Sequence, residues 1–406
     1  MESNVIIIGG GQSGLMTAVS LRQNKFKGSV LLISSENYLP YQRPPLSKEF
    51  ISDSLKENQL YFKSAEYFQK NDIKILLNTS VIEINKKQNQ IILNSGEEYS
   101  YEKLVIATGS KVNKLNLSCD NNNIHYLRDL SDSLEIKNTL NKHNKIAIVG
   151  GGYIGLEIAS AAIKKNLQVT VIEMDERIMG RAISKKASDF LYKKHQKKGV
   201  EFSLNTRVID IKDHGKLKKV ACSNGEDLDV DAVIIGAGIK PNIDIVIKSG
   251  LLCDNGILVD EYCQTSDLDI FAAGDCTNHP SKIYNTRLRL ESVHNAVEQG
   301  KTVGSSILGI SKPYNQVPWF WTIQYDIKLQ IAGIYEKNND FIVRGDIELE
   351  HFSIFHLKDK KIIAVEAIND NKSFIAGKKL IQKSLEPPKK ILENTSLDLQ
   401  SWIKKQ

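Results

Sequence analysis

The apolar positions of this chain fall into two matching runs. Residues 5–8 are continuously apolar, residues 14–23 carry apolar side chains at helical spacing, and residues 29–33 are apolar again; residues 146–149, 155–165 and 168–172 repeat that order. A short apolar run bounded by turn residues predicts a buried strand and a 3.6-residue period predicts a helix, so each run reads strand–helix–strand. Short strands and turns are predicted after each copy, at 73–84 and 90–93 and at 202–211 and 217–221. Both copies then close with an apolar strand entering a small-residue turn, 103–109 in the first and 232–238 in the second. Strands at 257–260 and 270–275 and a helix at 290–308 predict a return to the first domain. Past residue 312 the pattern changes: an aromatic stretch at 314–325 leads into alternating strands at 331–335, 341–343, 351–357 and 361–367, then a helix at 373–383 ended by Pro387-Pro388.

Each repeat opens on a glycine fingerprint, Gly9-Gly10-Gly11-Gln12-Ser13-Gly14 and Gly150-Gly151-Gly152-Tyr153-Ile154-Gly155. Of the first set, Gly9 permits the tight turn, Gly11 lets backbone approach a pyrophosphate, and Gly14 lets helix pack closely on strand. Gly150, Gly152 and Gly155 do the same in the second. The helix N-terminus that follows offers unpaired amides to the phosphates. A glycine-rich turn without a ligand is the bland alternative; a strand before and a helix after weigh against it. The fold class is therefore α/β, with two Rossmann-like dinucleotide-binding domains and a C-terminal α+β domain, and the order of these parts resembles that of glutathione reductase. Residues 1–112 and 242–315 are read as a discontinuous FAD-binding domain, 113–241 as an NAD-binding domain, 316–390 as the C-terminal domain and 391–406 as a tail.

Acidic residues after the glycines choose the nucleotide. Glu36, past the second strand, is the candidate ribose ligand of the first site. Asp275 ends the buried run Ile270-Phe271-Ala272-Ala273-Gly274-Asp275, where it can bond a ribityl chain while Gly274 and its small neighbours admit a flavin. Ala107-Thr108-Gly109 is a third small-residue element of that kind. In the second site Glu173 ends its strand, accepts from two ribose hydroxyls and repels a 2′-phosphate, which favours NADH over NADPH even with Arg177 nearby. Tyr153, Ile154 and Gly238 are taken into the same site. Glu157 lies on the first turn of the helix; the dipole alone favours a carboxylate there, and contact with the nicotinamide amide or a nearby lysine is the functional alternative.

Composition narrows the picture. With 406 residues, 41% hydrophobic and 25% charged, the chain is an ordinary globular protein of two or three domains. No apolar run approaches the roughly 18 residues of a membrane span, and Met1 runs almost directly into the first strand, so a cytoplasmic protein without a leader is expected. The net charge of +6 is carried mostly by lysine, with only nine arginines. The lysine-rich stretches 137–145 and 193–198 read as solvated helix faces, no nucleic-acid motif accompanies them, and a mildly basic surface suits an acidic protein partner. Cys119, Cys222, Cys253, Cys263 and Cys276 form no close-spaced pair, which argues against zinc, an iron–sulfur cluster or a redox disulfide, and no metal site is expected.

The segment Tyr41-Gln42-Arg43-Pro44-Pro45-Leu46-Ser47-Lys48 is the discriminating one. Disulfide reductases of this two-nucleotide fold carry a redox cysteine pair on the corresponding early helix; here Pro-Pro-Leu-Ser-Lys takes that place. Together with Val317-Pro318-Trp319-Phe320-Trp321, Gln324-Tyr325-Asp326 and the stretches 362–369 and 374–381, it resembles the FAD-dependent NADH:ferredoxin reductases that supply bacterial ring-hydroxylating dioxygenases and cytochromes P450. The resemblance covers almost the whole chain. It implies that Ser13, Lys48, Val81, Arg128, Asp275 and Val293 contact FAD, with Lys48 near the flavin N5 and paired with Glu157. It also implies that Trp319 and Trp321 flank the flavin edge or the docking face, although aromatics at alternate positions are also common in cores. Two positions depart from the family: Ser35 stands where an acid is usual before the ribose ligand, and Trp321-Thr322-Ile323-Gln324 replaces Trp-Ser-Asp-Gln. The function implied is transfer of electrons from NADH through FAD to a small acidic iron–sulfur protein, by a monomer or homodimer, with Lys48 and Glu157 as the catalytic pair. The same parts would serve a reductase of rubredoxin, quinone or oxygen, or an NADH-sensing binding protein of the apoptosis-inducing-factor kind.

Overall fold

The computed structural model describes residues 1–120, 122–337 and 339–406. Its contacts divide the chain into two units, 1–42 with 60–111 and 240–318, and 43–59 with 112–239 and 319–406.

The first unit is organised by a parallel sheet in the order Ile73–Leu76, Val30–Ile33, Glu2–Ile8, Glu98–Ile106. Ile270–Ala272 pairs in parallel with the end of Glu98–Ile106, and the antiparallel strands Gln90–Leu93 and Val81–Asn85 extend from its beginning. The continuous apolar runs follow from burial on both faces. Ile6, Ile8, Leu31, Ile33, Leu104 and Ile106 pack into one cluster, and their alternate neighbours Val5, Ile7, Val30, Leu32 and Val105 into another. Helix Gln12–Gln23 follows the first strand, and helix Val293–Ser306 lies against it.

The second unit holds a five-stranded parallel sheet in the order Val200–Ser203, Gln168–Ile172, Lys145–Val149, Ala232–Ile235, Ile124–Tyr126. Helix Tyr153–Lys164 follows its central strand, and a three-stranded antiparallel sheet spans Val208–Val230. Residues 319–406 add a five-stranded antiparallel sheet, ordered Trp319–Gln324, Ile327–Gly333, Lys361–Ile368, His351–Lys358, Asp340–Asp346, with helix Asn371–Gln382 packed on it. Ile327, Leu329, Phe352 and Ile354 of this sheet share a core with Leu156, Ile178 and Leu191, so the antiparallel and parallel sheets are one packed body.

Several elements depart from the sequence pattern. The aromatic stretch contains a sixth C-terminal element, strand Trp319–Gln324, whose aromatic residues are half-buried while its polar Thr322 and Gln324 are buried, the reverse of the usual pattern. Helix Leu130–Lys142 begins well ahead of the lysine-rich stretch read as a helix face, at a capping box formed by Asp129 and Asp132. The lysine-rich stretches are not simply solvated. Lys137 binds Asp53 at 2.6 Å, and Lys194, 10% exposed, binds both Asp326 and Glu350. His195 beside it is fully buried, and that burial lowers its pKa to about 4.

Residues 43–59 belong by packing to the second unit. Ile51 sits in the core with Ile136, Ile148 and Ile158, the Ser133 hydroxyl donates to the Leu46 carbonyl at 2.7 Å, and the Asp53 carboxylate is gripped by Lys137 and Lys165. The final residues, read as a tail, form two short helices, Lys389–Glu393 and Leu399–Ile403, that bury Leu392, Leu399 and Ile403. Arg344, on strand Asp340–Asp346, donates to the carbonyls of Leu392 at 3.0 Å, Asn394 at 2.6 Å and Leu397 at 2.7 Å. Replacing it by leucine removes the donor those carbonyls share, and Arg344→Leu is expected to cost about 2–3 kcal/mol and to make residues 390–406 the first segment lost to limited proteolysis. A cleavage pattern and unfolding midpoint equal to those of the unsubstituted protein would show that apolar contact alone holds the terminus.

Candidate functional site

At the end of the first strand Gly9 turns with φ +121°, and a Cβ there would lie 2.1 Å from the Ala107 carbonyl oxygen. A Cβ on Gly14 would lie 2.0 Å from the Gly9 oxygen, whereas one on Gly11 would meet nothing within 4 Å. Helix and turn are thus sealed on the strand while the face at Gly11 stays open beside the first helical amides. Ser13 is buried, and its hydroxyl finds no hydrogen-bond partner among the described residues. An orphaned hydroxyl at an open, amide-rich helix start fits a phosphate-bearing group.

The other first-unit candidates stand around that turn. Tyr41 donates its hydroxyl to the Glu36 carboxylate, which fixes the acid just past strand Val30–Ile33; Ser35 is exposed. Gly274 turns with φ +90°, and a Cβ on it would lie 3.1 Å from the Ser13 Cβ, so the two nucleotide elements meet. Asp275 accepts from the Ser110 hydroxyl at 2.8 Å, and Thr108 donates to the Asn242 carbonyl at 2.6 Å. Gly109 also takes a positive φ. Val81 begins its strand and is buried; Val293 is the first residue of its helix and half-buried. Sequence reading missed Gln299. Its Oε1 accepts from the Gly274 amide at 2.7 Å and the Thr277 hydroxyl at 2.9 Å, which holds the Gly274-Asp275 turn, while its buried Nε2 has no partner among the described residues. Spacing on one helix gave no signal for that reach.

The second glycine turn repeats the geometry in the other unit. Gly150 has φ +105°, a Cβ on Gly155 would lie 2.1 Å from the Gly150 oxygen, and one on Gly152 would meet nothing within 4 Å. Glu173 accepts from the Gly151 amide at 2.6 Å and the Asp175 amide at 2.9 Å, which places its carboxylate against the turn. Arg177 is occupied by the carbonyls of Ile183 and Gly180 at 2.9 and 2.7 Å, so its charge is turned into its own loop. Ile154 is exposed at the turn, and Tyr153 is half-buried and packs against Phe320 with ring centroids 4.3 Å apart. Burial raises the Tyr153 phenol far above its usual range. Gly238 takes φ +85° and its carbonyl accepts from the Asn113 amide at 3.0 Å.

Glu157 lies one turn into that helix and is 2% exposed. Its carboxylate takes the Lys48 ammonium at 2.8 Å, the Ser47 hydroxyl, and the Thr322 hydroxyl at 2.5 Å. The lysine–glutamate pair implied by the resemblance is therefore formed; Ser47 and Thr322 as its companions were not foreseen. Lys48 also donates to the Pro44 carbonyl at 3.1 Å, which closes the Pro-Pro turn over it. Arg43 donates to the Arg128 carbonyl, so the two arginine-bearing segments are joined. Trp319 lies 5.4 Å from Trp321 and 5.6 Å from Phe374 between ring centroids, part of an aromatic row on one strand.

Among the described residues no group of acidic, histidine and cysteine side chains could hold a metal, and the five cysteines are free. Burial pushes all five thiols up, Cys276 to about 11. No helix among those residues is long and apolar enough to cross a membrane.

Comparison with known proteins converges on one family. Residues 3–300 match Pyridine nucleotide-disulphide oxidoreductase and residues 319–403 match Reductase C-terminal. Putidaredoxin reductase from Pseudomonas putida is 34% identical over 99% of this chain and 97% of its own. Rubredoxin-NAD(+) reductase from Pseudomonas putida is 35% identical over 90% and 95%. The crystal structure of the covalent putidaredoxin reductase–putidaredoxin complex superposes with a TM-score of 0.95 at 33% identity, covering 99% of this chain and 98% of that one. The chain belongs to the pyridine nucleotide-disulphide oxidoreductase family, among its FAD- and NAD(H)-binding ferredoxin reductases.

Proposed function

We propose that this enzyme passes electrons from NADH, through FAD, to a small acidic iron–sulfur protein that feeds an oxygenase or cytochrome P450, and that it works in the cytoplasm as a monomer or homodimer. The observation that carries the reading is the pair of glycine turns, each open at its middle glycine, the second with the Glu173 carboxylate on its Gly151 amide, in a chain whose five cysteines are all free. FAD when bound takes up electrons in pairs from a hydride donor and yields them singly.

The roles assigned are these. Residues 1–112 and 242–315 hold FAD: Gly9, Gly11, Ser13 and Gly14 take its pyrophosphate, Glu36 its ribose, and Gly274 and Asp275 its ribityl chain. Ala107, Thr108 and Gly109 leave room for it, and Val81 and Val293 pack on it. Arg128 and Trp319 contact the same cofactor. Residues 113–241 hold NADH at Gly150, Gly152, Tyr153, Ile154, Gly155 and Gly238, with Glu173 on the ribose hydroxyls. Lys48 would place a positive charge beside the flavin, and Glu157 holds that ammonium in position at 2.8 Å. Residues 316–390 complete the acceptor-facing part of the protein, where Ile323 stands in place of an acid.

The FAD-loaded enzyme, given NADH and cytochrome c, is expected to turn over rapidly when a [2Fe–2S] ferredoxin is added, more slowly with rubredoxin, and equally well after its cysteines are alkylated. Faster turnover with rubredoxin would favour the activity carried in the name of one relative, and loss of turnover on alkylation would sink a thiol-free route. For coenzyme choice, Glu173→Ala is expected to lower kcat/KM for NADH by about 10- to 100-fold, the loss of charge-assisted bonds to two hydroxyls, with little change for NADPH. A parallel fall for both nucleotides would remove Glu173 from the choice.

Glu157→Gln leaves the nearly buried Lys48 ammonium without its anion. A loss of about 3–5 kcal/mol is expected, read as a lowered unfolding midpoint, with partial recovery in the double variant Lys48→Met/Glu157→Leu. Equal midpoints for the single and double variants would mean that the pair does not govern this region.

A further inference from the structure

Behind Glu157 runs a line of buried polar side chains that the electron-transfer reading does not use. Thr322, 1% exposed, gives its hydroxyl proton to Glu157 Oε1 at 2.5 Å. Gln324, 1% exposed, places Nε2 3.2 Å from Thr322 Oγ1, and its Oε1 lies 2.8 Å from Nε2 of the fully buried His195. His195 Nδ1 in turn lies 3.1 Å from the Tyr325 hydroxyl. These residues come from strand Trp319–Gln324, the turn after it, helix Lys185–Lys197 and helix Tyr153–Lys164, all within one unit.

The polarity of the line is fixed from one end. An ionised carboxylate only accepts, so the Thr322 proton is committed to Glu157. Thr322 can then serve Gln324 only as an acceptor, which turns the Gln324 amide nitrogen toward it and the amide oxygen toward His195. That oxygen needs a donor, so His195 carries its proton on Nε2 and presents Nδ1 as acceptor to the Tyr325 hydroxyl. Burial keeps the imidazole neutral, in agreement with that assignment. Every bond therefore points toward Glu157, and the aligned dipoles reinforce one another.

Tyr325 supplies independent support. It holds φ +58°, a left-handed conformation that an aromatic residue adopts only against resistance, at the hairpin turn between strands Trp319–Gln324 and Ile327–Gly333. Its amide donates to the Ser160 hydroxyl at 2.8 Å and its ring edge meets His195 with centroids 4.9 Å apart. The turn is thus held at both ends of the residue, and the phenol is delivered to the imidazole.

We propose that Thr322, Gln324 and His195 are positioning residues for the Lys48–Glu157 pair: a one-directional hydrogen-bond relay that fixes one oxygen of Glu157 so that the other is held for the lysine. The relay acts on hydride uptake only through Lys48, and so rests on the role given to that residue above. Its effect is on the rate of reduction, since no member of the relay is placed against NADH.

The test is FAD reduction by NADH in rapid-mixing experiments on the FAD-loaded enzyme, with Lys48→Met, Thr322→Val, Thr322→Ser and Gln324→Leu compared. Thr322→Val is expected to slow reduction by about tenfold, the effect of one bond to a charged group, and Gln324→Leu by no more than that, with the dissociation constant for NADH changed by less than about twofold in each. Thr322→Ser, which keeps the hydroxyl, is expected to restore most of the rate, and Thr322→Val/Gln324→Leu to be no slower than Thr322→Val, because both cut one line. A slow Lys48→Met beside fully active Thr322→Val and Gln324→Leu would overturn the relay alone; an unaffected Lys48→Met would overturn the lysine's role and the relay with it. A second measurement is independent of turnover. Nitrogen-15 spectra of histidine in the unsubstituted protein without NADH are expected to show His195 protonated at Nε2, and a proton on Nδ1 would overturn the assigned polarity.

Discussion

A carboxylate taken out of water must find its compensation in the protein, and Glu157 finds it in three places at once. The Lys48 ammonium, the Ser47 hydroxyl and the Thr322 hydroxyl converge on it from segments separated by more than a hundred residues on either side. Leaving such a group unpaired costs several kcal/mol, so the positions of the Pro-Pro-Leu-Ser-Lys segment and of strand Trp319–Gln324 are constrained by one buried charge. The remaining ties are consistent with that constraint. Asp53 clamps the loop after Lys48 to Lys137 of helix Leu130–Lys142 and to Lys165 at the end of helix Tyr153–Lys164, and Ser133 bonds the Leu46 carbonyl. A loop that arrives from the first unit's sequence is thereby made part of the second unit's core.

The two nucleotide turns rest on a different kind of constraint, the exclusion of side-chain atoms. Gly14 and Gly155 each allow backbone to lie where a methyl group would collide, while Gly11 and Gly152 leave space in front of the helix start. Covalent geometry leaves few alternatives at such places. That is why both turns were legible in the sequence: the strand, the three glycines and the helix are local, and the first and third glycine of each set answer a clash with a neighbour only a few residues or one strand away, while the middle one leaves the approach open. Glu173 was legible for the same reason, since the end of a strand has one direction to face. Its carboxylate does lie on the glycine turn.

What escaped sequence reading is what depends on distant partners. Ser47 and Thr322 have no local pattern that marks them as ligands of Glu157, and the pairing of Lys48 with Glu157 was available only through resemblance to a family. Gln299 reaches the Gly274 amide across a helix–turn junction that residue spacing does not reveal. Lysine-rich 193–198 looked like a solvated face because charge was counted without its partners; Asp326 and Glu350, which draw Lys194 in, come from another part of the chain. The closing helices were read as a tail because their few apolar residues are spaced too widely to show a period, yet Arg344 gives their carbonyls a common donor.

The state of the thiols has a consequence for the company this protein keeps. Peroxide and other two-electron oxidants attack sulfur as thiolate, and exposure together with a lowered pKa is what makes a cysteine vulnerable. Here all five sulfurs are shifted toward the protonated form by burial, two of them fully enclosed. Direct attack on these cysteines is therefore disfavoured, and the enclosed ones, Cys263 and Cys276, meet an oxidant only once the chain around them opens.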